Sequence, residues 1–333
     1  MKDLKRSSPF ALCHLHSPFY LIGIDLGGTN IKAVLITPEG KIVKSLSVKT
    51  LAERGPDAVM QRLVMVIETL KKWAIQKNAE VKAVGIGAAG LIENGRVHTS
   101  PNLPGWKDVP LARFLQKFTH LKVVADNDVN AFVLAEVTYG AAKGKKNVIG
   151  VTIGTGVGGG IVLNGKLYHG PKGSAGEIGH TTINFNGPLC LCGNRGCLEA
   201  YVSAKYIVEA TICKMQRKGK SILSQLVRGD LSKLTPKIIS EAAKRGDPLS
   251  QEVIRETGRV LGIGLASVVN LLNPEIIVIG GGIAKAGKIL FEAVKDSIRE
   301  RAFQYPAEFV KIVPAKLGTR AASLGAACLI RDR

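Results

Sequence analysis

"IDLGGTNIKAVLITPEGKIV", residues 24–43, ends an apolar run on an aspartate, then gives two glycines, a threonine and, shortly after, a lysine. That order suits a phosphate group. Backbone N–H groups in a glycine-rich turn reach phosphate oxygens because no Cβ intervenes, and the Thr29 hydroxyl adds a donor. Asp25 has the wrong charge to touch a phosphate. It has the right charge to hold a hydrated Mg2+, which takes one or two carboxylates together with phosphate oxygens. Gly27, Gly28 and Thr29 are therefore candidate phosphate contacts, with Asp25 and Lys32 beside them. The setting is strand-turn-strand, unlike a Walker sequence closing in Gly-Lys-Ser/Thr or a GxGxxG that opens a helix.

"VTIGTGVGGGIVLNGK", residues 151–166, nearly repeats the pattern. A shift of 127 residues pairs Asp25 with Thr152, Gly27 with Gly154 and Val34 with Ile161. Gly154, Thr155 and Gly156 form the second candidate turn. Two ordinary glycine-containing hairpins are the alternative. A duplicated unit instead implies two similar domains facing each other across a nucleotide.

Outward from these turns, strands and helices alternate, which argues α/β. Tyr20–Ile24 and Lys32–Thr37 read as strands, and "PEG" as a turn. Val59, Leu63, Val66, Ile67 and Leu70 fall on one face of a helix from about Pro56 to Gln76. "VKAVGIGAAG" is a strand into a glycine turn. "LKVVADNDVNAFVLAEVTYG" is a strand that stops at Asp126–Asp128 and becomes a helix at about Val129. Residues 204–272 are mostly helical. "PEIIVIGGGIAKAG" is a last buried strand running into Gly280, Gly281 and Gly282, and Leu317–Ile330 is a terminal helix. The glycine turns after Ile24, Ile86, Ile153 and Ile279 fall at strand ends, where open α/β sheets bind ligands.

A chain of 333 residues, 46% hydrophobic and with 38 glycines, is a folded protein long enough for two domains. No apolar stretch reaches the roughly 18–20 residues needed to cross a bilayer. The first 19 residues read as an extension, too broken by His14, His16 and Pro18 for a secretory signal, so a cytoplasmic location is expected. The formal charge is +20, but its Lys and Arg residues are spread along the chain, with small clusters at Lys143–Lys146 and Lys214–Lys220. No zinc-finger, helix-turn-helix or RNA-binding signature accompanies them, so nucleic acid is not the expected partner. A solvated basic face is the ordinary reading, with an anionic partner such as polyphosphate as the alternative.

"DLGGTNIK", "IGTGVGGG" and "IVIGGG" together resemble the sugar kinases of the actin/hexokinase ATPase superfamily. "GSAGEIGHTTINFNGPLCLCGNRGCLEAYVS" resembles the ROK family of repressors, open reading frames and kinases, and "SPNLPGW" and "ADNDVNA" are similar to its glucokinases. The resemblance runs from about residue 20 to the C-terminus. It implies two ribonuclease-H-like domains, residues 20–127 plus about 317–333 and residues 128–316, facing across a cleft. It also implies ATP- and Mg2+-dependent phosphorylation of a hexose at its 6-hydroxyl, in a homo-oligomer, commonly a dimer or tetramer.

Phosphoryl transfer needs a group to accept the sugar hydroxyl proton. Asp126 and Asp128 both stand at a strand end, and either can instead cap the following helix. The family motif puts the base at Asp128, leaves Asp126 (more often Glu) a supporting role, and gives Asn127 to the sugar. Asn102, Glu177, His180 and Glu199 match family positions that line the sugar, as carboxylates and amides suit hydroxyls. The family often reads GAPG where this chain has "GAAG", which leaves that turn less rigid. "CLCGNRGC" places Cys190, Cys192 and Cys197 within eight residues. With His180 they make a closed three-thiolate, one-imidazole set for structural Zn2+. Cys13, Cys213 and Cys328 are scattered thiols. Kinases for fructose or an N-acetylated amino sugar share these motifs. A sugar-responsive repressor of the family carries a helix-turn-helix module, for which about 20 residues before the first strand are too few.

Overall fold

The structure, a computed structural model, describes residues 18–218 and 221–332. The expected N-terminal extension, including Cys13, and the end of the Lys214–Lys220 cluster lie outside the described residues.

The first sheet is built from β1 (Phe19–Leu26), β2 (Asn30–Ile36), β3 (Ile42–Lys49), β4 (Glu80–Ala88) and, after a small three-stranded sheet of β5 (Leu91–Glu93), β6 (Arg96–Thr99) and β7 (Lys107–Val109), β8 (Lys122–Asn127). Its strand order is β3-β2-β1-β4-β8, with β1–β2–β3 antiparallel and β1–β4–β8 parallel. The second sheet has β9 (Val148–Ile153), β10 (Val157–Leu163), β11 (Lys166–Leu167), β12 (Ile276–Gly280) and β13 (Lys311–Pro314), ordered β11-β10-β9-β12-β13. The same two antiparallel and two parallel neighbours recur. The chain is thus α/β with one ribonuclease-H-like topology used twice, as the repeat predicts.

The repeat is not a constant shift. Leu26 faces Ile31 across the first turn, whereas Ile153 faces Val157 across the second, which is one residue shorter. Val34 therefore corresponds to Gly160, each facing the glycine (Gly23 or Gly150) that the shift of 127 equates, and not to Ile161. Five strands, β3, β13 and the three of the small sheet, are missing from the sequence reading. β3 is a largely exposed edge strand with polar alternate residues, and β13 is four residues closed by proline, so neither shows as an apolar run. "PEIIVIGGG" is consequently not the last strand. The small sheet is too short and polar to register. The turn expected after Ile86 comes after Ala88.

Between the strands lie α1 (Gly55–Ile75), α2 (Leu111–Thr119) and α3 (Asp128–Thr138). The second half holds α4 (Glu199–Val202), α5 (Ala204–Lys218), α6 (Leu223–Leu226), α7 (Pro236–Lys244), α8 (Pro248–Leu272), α9 (Lys288–Arg301) and α10 (Gln304–Phe309), and the chain ends in α11 (Ala321–Asp332). Helix α1 carries Pro56 in its first turn and buries Val59, Leu63, Val66, Ile67 and Leu70 as its spacing requires. These pack with Ile22 and Ile24 on one face of the first sheet, while Leu21 and Val34 pack with Leu324 and Ala327 of α11 on the other.

The last helix of each half is exchanged. α3 leaves the first sheet and packs on β9 and β10, and α11 leaves the second and packs on β1 and β4. Equivalent glycines make the seats. A Cβ on Gly23 would lie 1.9 Å from the Ser323 carbonyl in α11, and one on Gly150 2.7 Å from Val133 in α3. Glu136 fastens the exchange. Its carboxylate is fully buried and accepts backbone N–H bonds from Ala141, Lys316 and Leu317 at 2.7–3.1 Å. Glu136→Ala would strand these donors away from water. It is expected to cost about 3 kcal/mol or more of unfolding free energy, read from urea denaturation.

Candidate active site

The carboxyl ends of both sheets open on one cleft with two chambers of about 520 Å3 each. Asp128, Val129 and Thr152 belong to the walls of both. Asp128 is the first residue of α3, where strand β8 ends on Asn127. The helix cap is Asn127, not an aspartate: its Oδ1 accepts from Val129 N at 2.8 Å and Asn130 N at 3.4 Å. Its Nδ2 donates to the Gly90 carbonyl at 3.0 Å, which ties down the "GAAG" turn, and has a second N–H to offer. Asp126 is buried behind the cap, where its Oδ1 accepts from Asn127 N and Asn130 Nδ2.

Asp128 stays partly open to the cleft, yet burial, followed by the charge of Asp25, raises its carboxyl from 3.8 to about 6. Backbone hydrogen bonds at the helix start oppose that rise, and Glu177 adds slightly to it.

The first chamber gathers every residue expected to hold the sugar: Asn102, Asn127, Asp128, Glu177, His180 and Glu199. Its wall also carries Gly154, Thr155 and Gly156. Glu199 begins α4 and braces that turn, its Oε2 accepting from Val157 N at 2.8 Å. Three carboxylates, two amides and an imidazole around one cavity suit a ligand with many hydroxyls, each of which donates and accepts.

The second chamber holds Asp25, Lys32, Lys285 and the turn Gly280–Gly282. Asp25 and Lys32 face each other across β1 and β2, with Lys32 Nζ 3.7 Å from the carboxylate. Burial nonetheless raises the Asp25 carboxyl against the pull of Lys32. At Gly281, φ is +91° and a Cβ would lie 2.2 Å from the Ile153 carbonyl, so the turn can cross the end of β9 only as glycine. Gly27, Gly28 and Thr29 line neither chamber. Their turn is held by Thr50, whose Oγ1 donates to the Gly27 carbonyl at 2.6 Å, and Gly28 abuts the Asn102 backbone. A third cavity, of about 650 Å3, adjoins through Gly282 and Lys285 and is bounded by α7 residues, among them Lys237, Ser240 and Lys244.

The cysteine run folds beside the first chamber. One ligand atom each from His180, Cys190, Cys192 and Cys197 lies within 4.8 Å of every other. Cys192 Sγ is 3.7 Å from Cys197 Sγ, and Cys190 Sγ is 3.8 Å from His180 Nδ1. Four ligands at Zn–S ≈ 2.3 Å in a tetrahedron require sulfurs about 3.8 Å apart, so the spacing fits zinc. Burial and the adjoining sulfurs push the Cys197 thiol up to about 12, so without a cation it is a neutral thiol. His180 thus turns Nδ1 to the sulfurs while its ring also lines the chamber.

Sequence reasoning missed Thr152, Lys285 and the loop after β11. Thr152 was visible as the repeat partner of Asp25, and Lys285 as the cation that follows the glycine turn.

The ROK family pattern matches residues 21–333, so the chain belongs to the ROK family. It is 38% identical to a Thermotoga maritima glucokinase, over 94% of this chain and 98% of that one. A Streptomyces griseus ROK glucokinase solved with glucose and AMPPNP superposes with a TM-score of 0.81, at 33% identity over 94% of this chain and all of that one. A ROK family transcriptional regulator described as a homologue of the E. coli MLC protein superposes at 0.86, with 31% identity over 95% of this chain and 78% of that one.

Proposed function

We propose that this chain is an ATP-dependent hexokinase that phosphorylates glucose at its 6-hydroxyl. The observation that carries the reading is Asp128 in the wall shared by a hydroxyl-matched chamber and a glycine- and lysine-lined one. Glucose occupies the first chamber, held by Asn102, Asn127, Glu177, His180 and Glu199. ATP phosphates occupy the second, with the nucleoside towards the cavity beside α7. Asp128 accepts the proton of the 6-hydroxyl as its oxygen attacks the γ-phosphorus and the bond to the β-phosphate oxygen breaks. Lys32, Lys285 and the glycine N–H groups offset the phosphate charge. Asp25 would hold Mg2+, which supplies charge neutralisation at the transferring group. In the two-lobe division we favour, residues 20–127 with 317–333 make one lobe and 128–316 the other. Among the described residues no helix is long and apolar enough to cross a membrane. A reducing cytoplasm suits both the thiol set and the ATP.

An ADP-release assay over glucose, fructose and N-acetylated amino sugars, with ATP and polyphosphate as donors, tests the reading. Glucose with ATP should have the highest kcat/KM. The likeness to a regulator supports a second reading, sugar binding without turnover, and the absence of ADP release with every hexose tested would favour it. If polyphosphate meets only a solvated basic face, it should neither serve as donor nor inhibit in a salt-dependent way.

The charge state of Asp128 sets the pH dependence. The base works ionised and is protonated below its pKa, so kcat/KM for glucose should fall as pH drops through about 6. Because Asp25 helps raise that value, the limb should move to lower pH in Asp25→Asn. An unchanged limb would remove Asp25 from that role.

Zinc would brace the loop that carries Glu177 and His180. One zinc per chain is expected by metal analysis. Cys192→Ser should lose it and weaken glucose binding at least about tenfold, since broken ligation releases the loop. Freshly purified, active, zinc-free protein would contradict this.

A further inference from the structure

His169 follows β11 in the second sheet, yet its Nε2 lies 2.7 Å from Oδ2 of Asp126, at the end of β8 in the first. Asp126 is 1% exposed, and its other oxygen accepts from Asn127 N at 2.7 Å and from Asn130 Nδ2 at 2.9 Å. Those are the backbone just before Asp128 and a side chain of the first turn it opens. A carboxylate only accepts, so Nε2 is the donor. One buried carboxylate therefore joins a histidine from one half of the molecule to the turn that presents the base from the other.

The segment carrying His169 also walls the sugar chamber. After His169 the chain turns back at once, with Ala175 N donating to the His169 carbonyl at 3.0 Å. Gly173, Ala175 and Glu177 then line the first chamber. Gly173 is seated against the small sheet: a Cβ there would lie 2.8 Å from the Ile92 carbonyl. The loop is thus a strap from the second half laid over the first, with its start hydrogen-bonded to Asp126.

We infer that His169 is a positioning residue: through Asp126 it fixes the Asn127–Asp128 turn, so that seating of the strap that walls the sugar chamber also sets the base. The inference rests on the reading of Asp128 as the base. His169 touches no substrate in this account. Its loss should appear in kcat, while the groups that hold the sugar stay in place.

His169→Gln keeps an N–H donor at nearly the reach of Nε2, and His169→Met keeps the shape without the donor. Met should lower kcat about thirtyfold with the glucose KM within about threefold, and Gln should restore kcat to within about threefold of wild type. Asp126→Asn should lower kcat as Met does, and the double variant should fall no further, because both break one link. Thermal unfolding checks that each variant is folded. If His169→Met fails this check, Asp126→Asn alone, with or without His169→Gln, gives the decision. Equal kcat in the folded Gln and Met variants, a change confined to KM, or losses that multiply in the double variant would overturn the inference. The failure of the base itself is read separately: Asp128→Asn retaining a tenth of turnover would end that reading, whereas the His169–Asp126 cycle would still report whether the two act as a unit.

Discussion

Asp128→Asn is expected to lower kcat for glucose phosphorylation by about a thousandfold while glucose affinity stays within about tenfold. The amide keeps the shape and the helix start but cannot take the proton. Misfolding would not explain the loss, because stability should move the other way. The Asp128 carboxyl titrates near 6 in the fold and near 3.8 when the chain is unfolded. A raised value means that stability falls as pH rises from about 4 to 6, as the group ionises in surroundings that disfavour its charge. Asparagine removes that charge, so the variant should be more stable than wild type at pH 8, by up to about 3 kcal/mol. A tenth or more of wild-type turnover would take the base role from Asp128. Loss of turnover together with lowered stability would point to a structural role.

Asp25→Ala should cost a comparable factor, about a thousandfold in kcat, with glucose affinity within about threefold. Asp25 lines the second chamber and not the first, where glucose is proposed to sit, so its removal should spare glucose binding. It leaves Lys32 without the carboxylate 3.7 Å away and would leave Mg2+ without the protein ligand proposed for it. Raising Mg2+ should recover part of the rate if the carboxylate only concentrates the ion. Turnover within tenfold of wild type at ordinary Mg2+ would exclude the assignment.

What could be read ahead of the structure was what a short stretch of chain fixes by itself. The two glycine turns, the aspartate before the first and the cysteine spacing are such local patterns, and six of the eleven candidate nucleotide contacts, Gly27, Gly28, Thr29, Gly154, Thr155 and Gly156, lie in the two turns alone. Even there, length matters. The second turn is one residue shorter than the first, so a constant shift follows the repeat only to the turn and misplaces Val34 beyond it. The sequence alone does not single out the cap on α3, because the adjacent Asp126, Asn127 and Asp128 are all competent caps. Only the backbone direction at the end of β8 decides which one turns inward. The exchange of α3 and α11 leaves its trace in Gly23 and Gly150, but a strand glycine also marks a bulge or a bend. Long-range contacts, His169 to Asp126 and Glu136 to the backbone at Lys316 and Leu317, join residues distant in sequence by side chains that no local pattern singles out.

The most direct measurement is the yield of glucose 6-phosphate per ADP released when wild-type protein and Asp128→Asn are each incubated with glucose, ATP and Mg2+, alongside glucose titrations of both. One glucose 6-phosphate per ADP is expected for the wild type, about a thousandfold slower formation for Asp128→Asn, and saturable glucose binding to both. Glucose bound by the wild type with no glucose 6-phosphate formed, or equal rates in the two proteins, would contradict this.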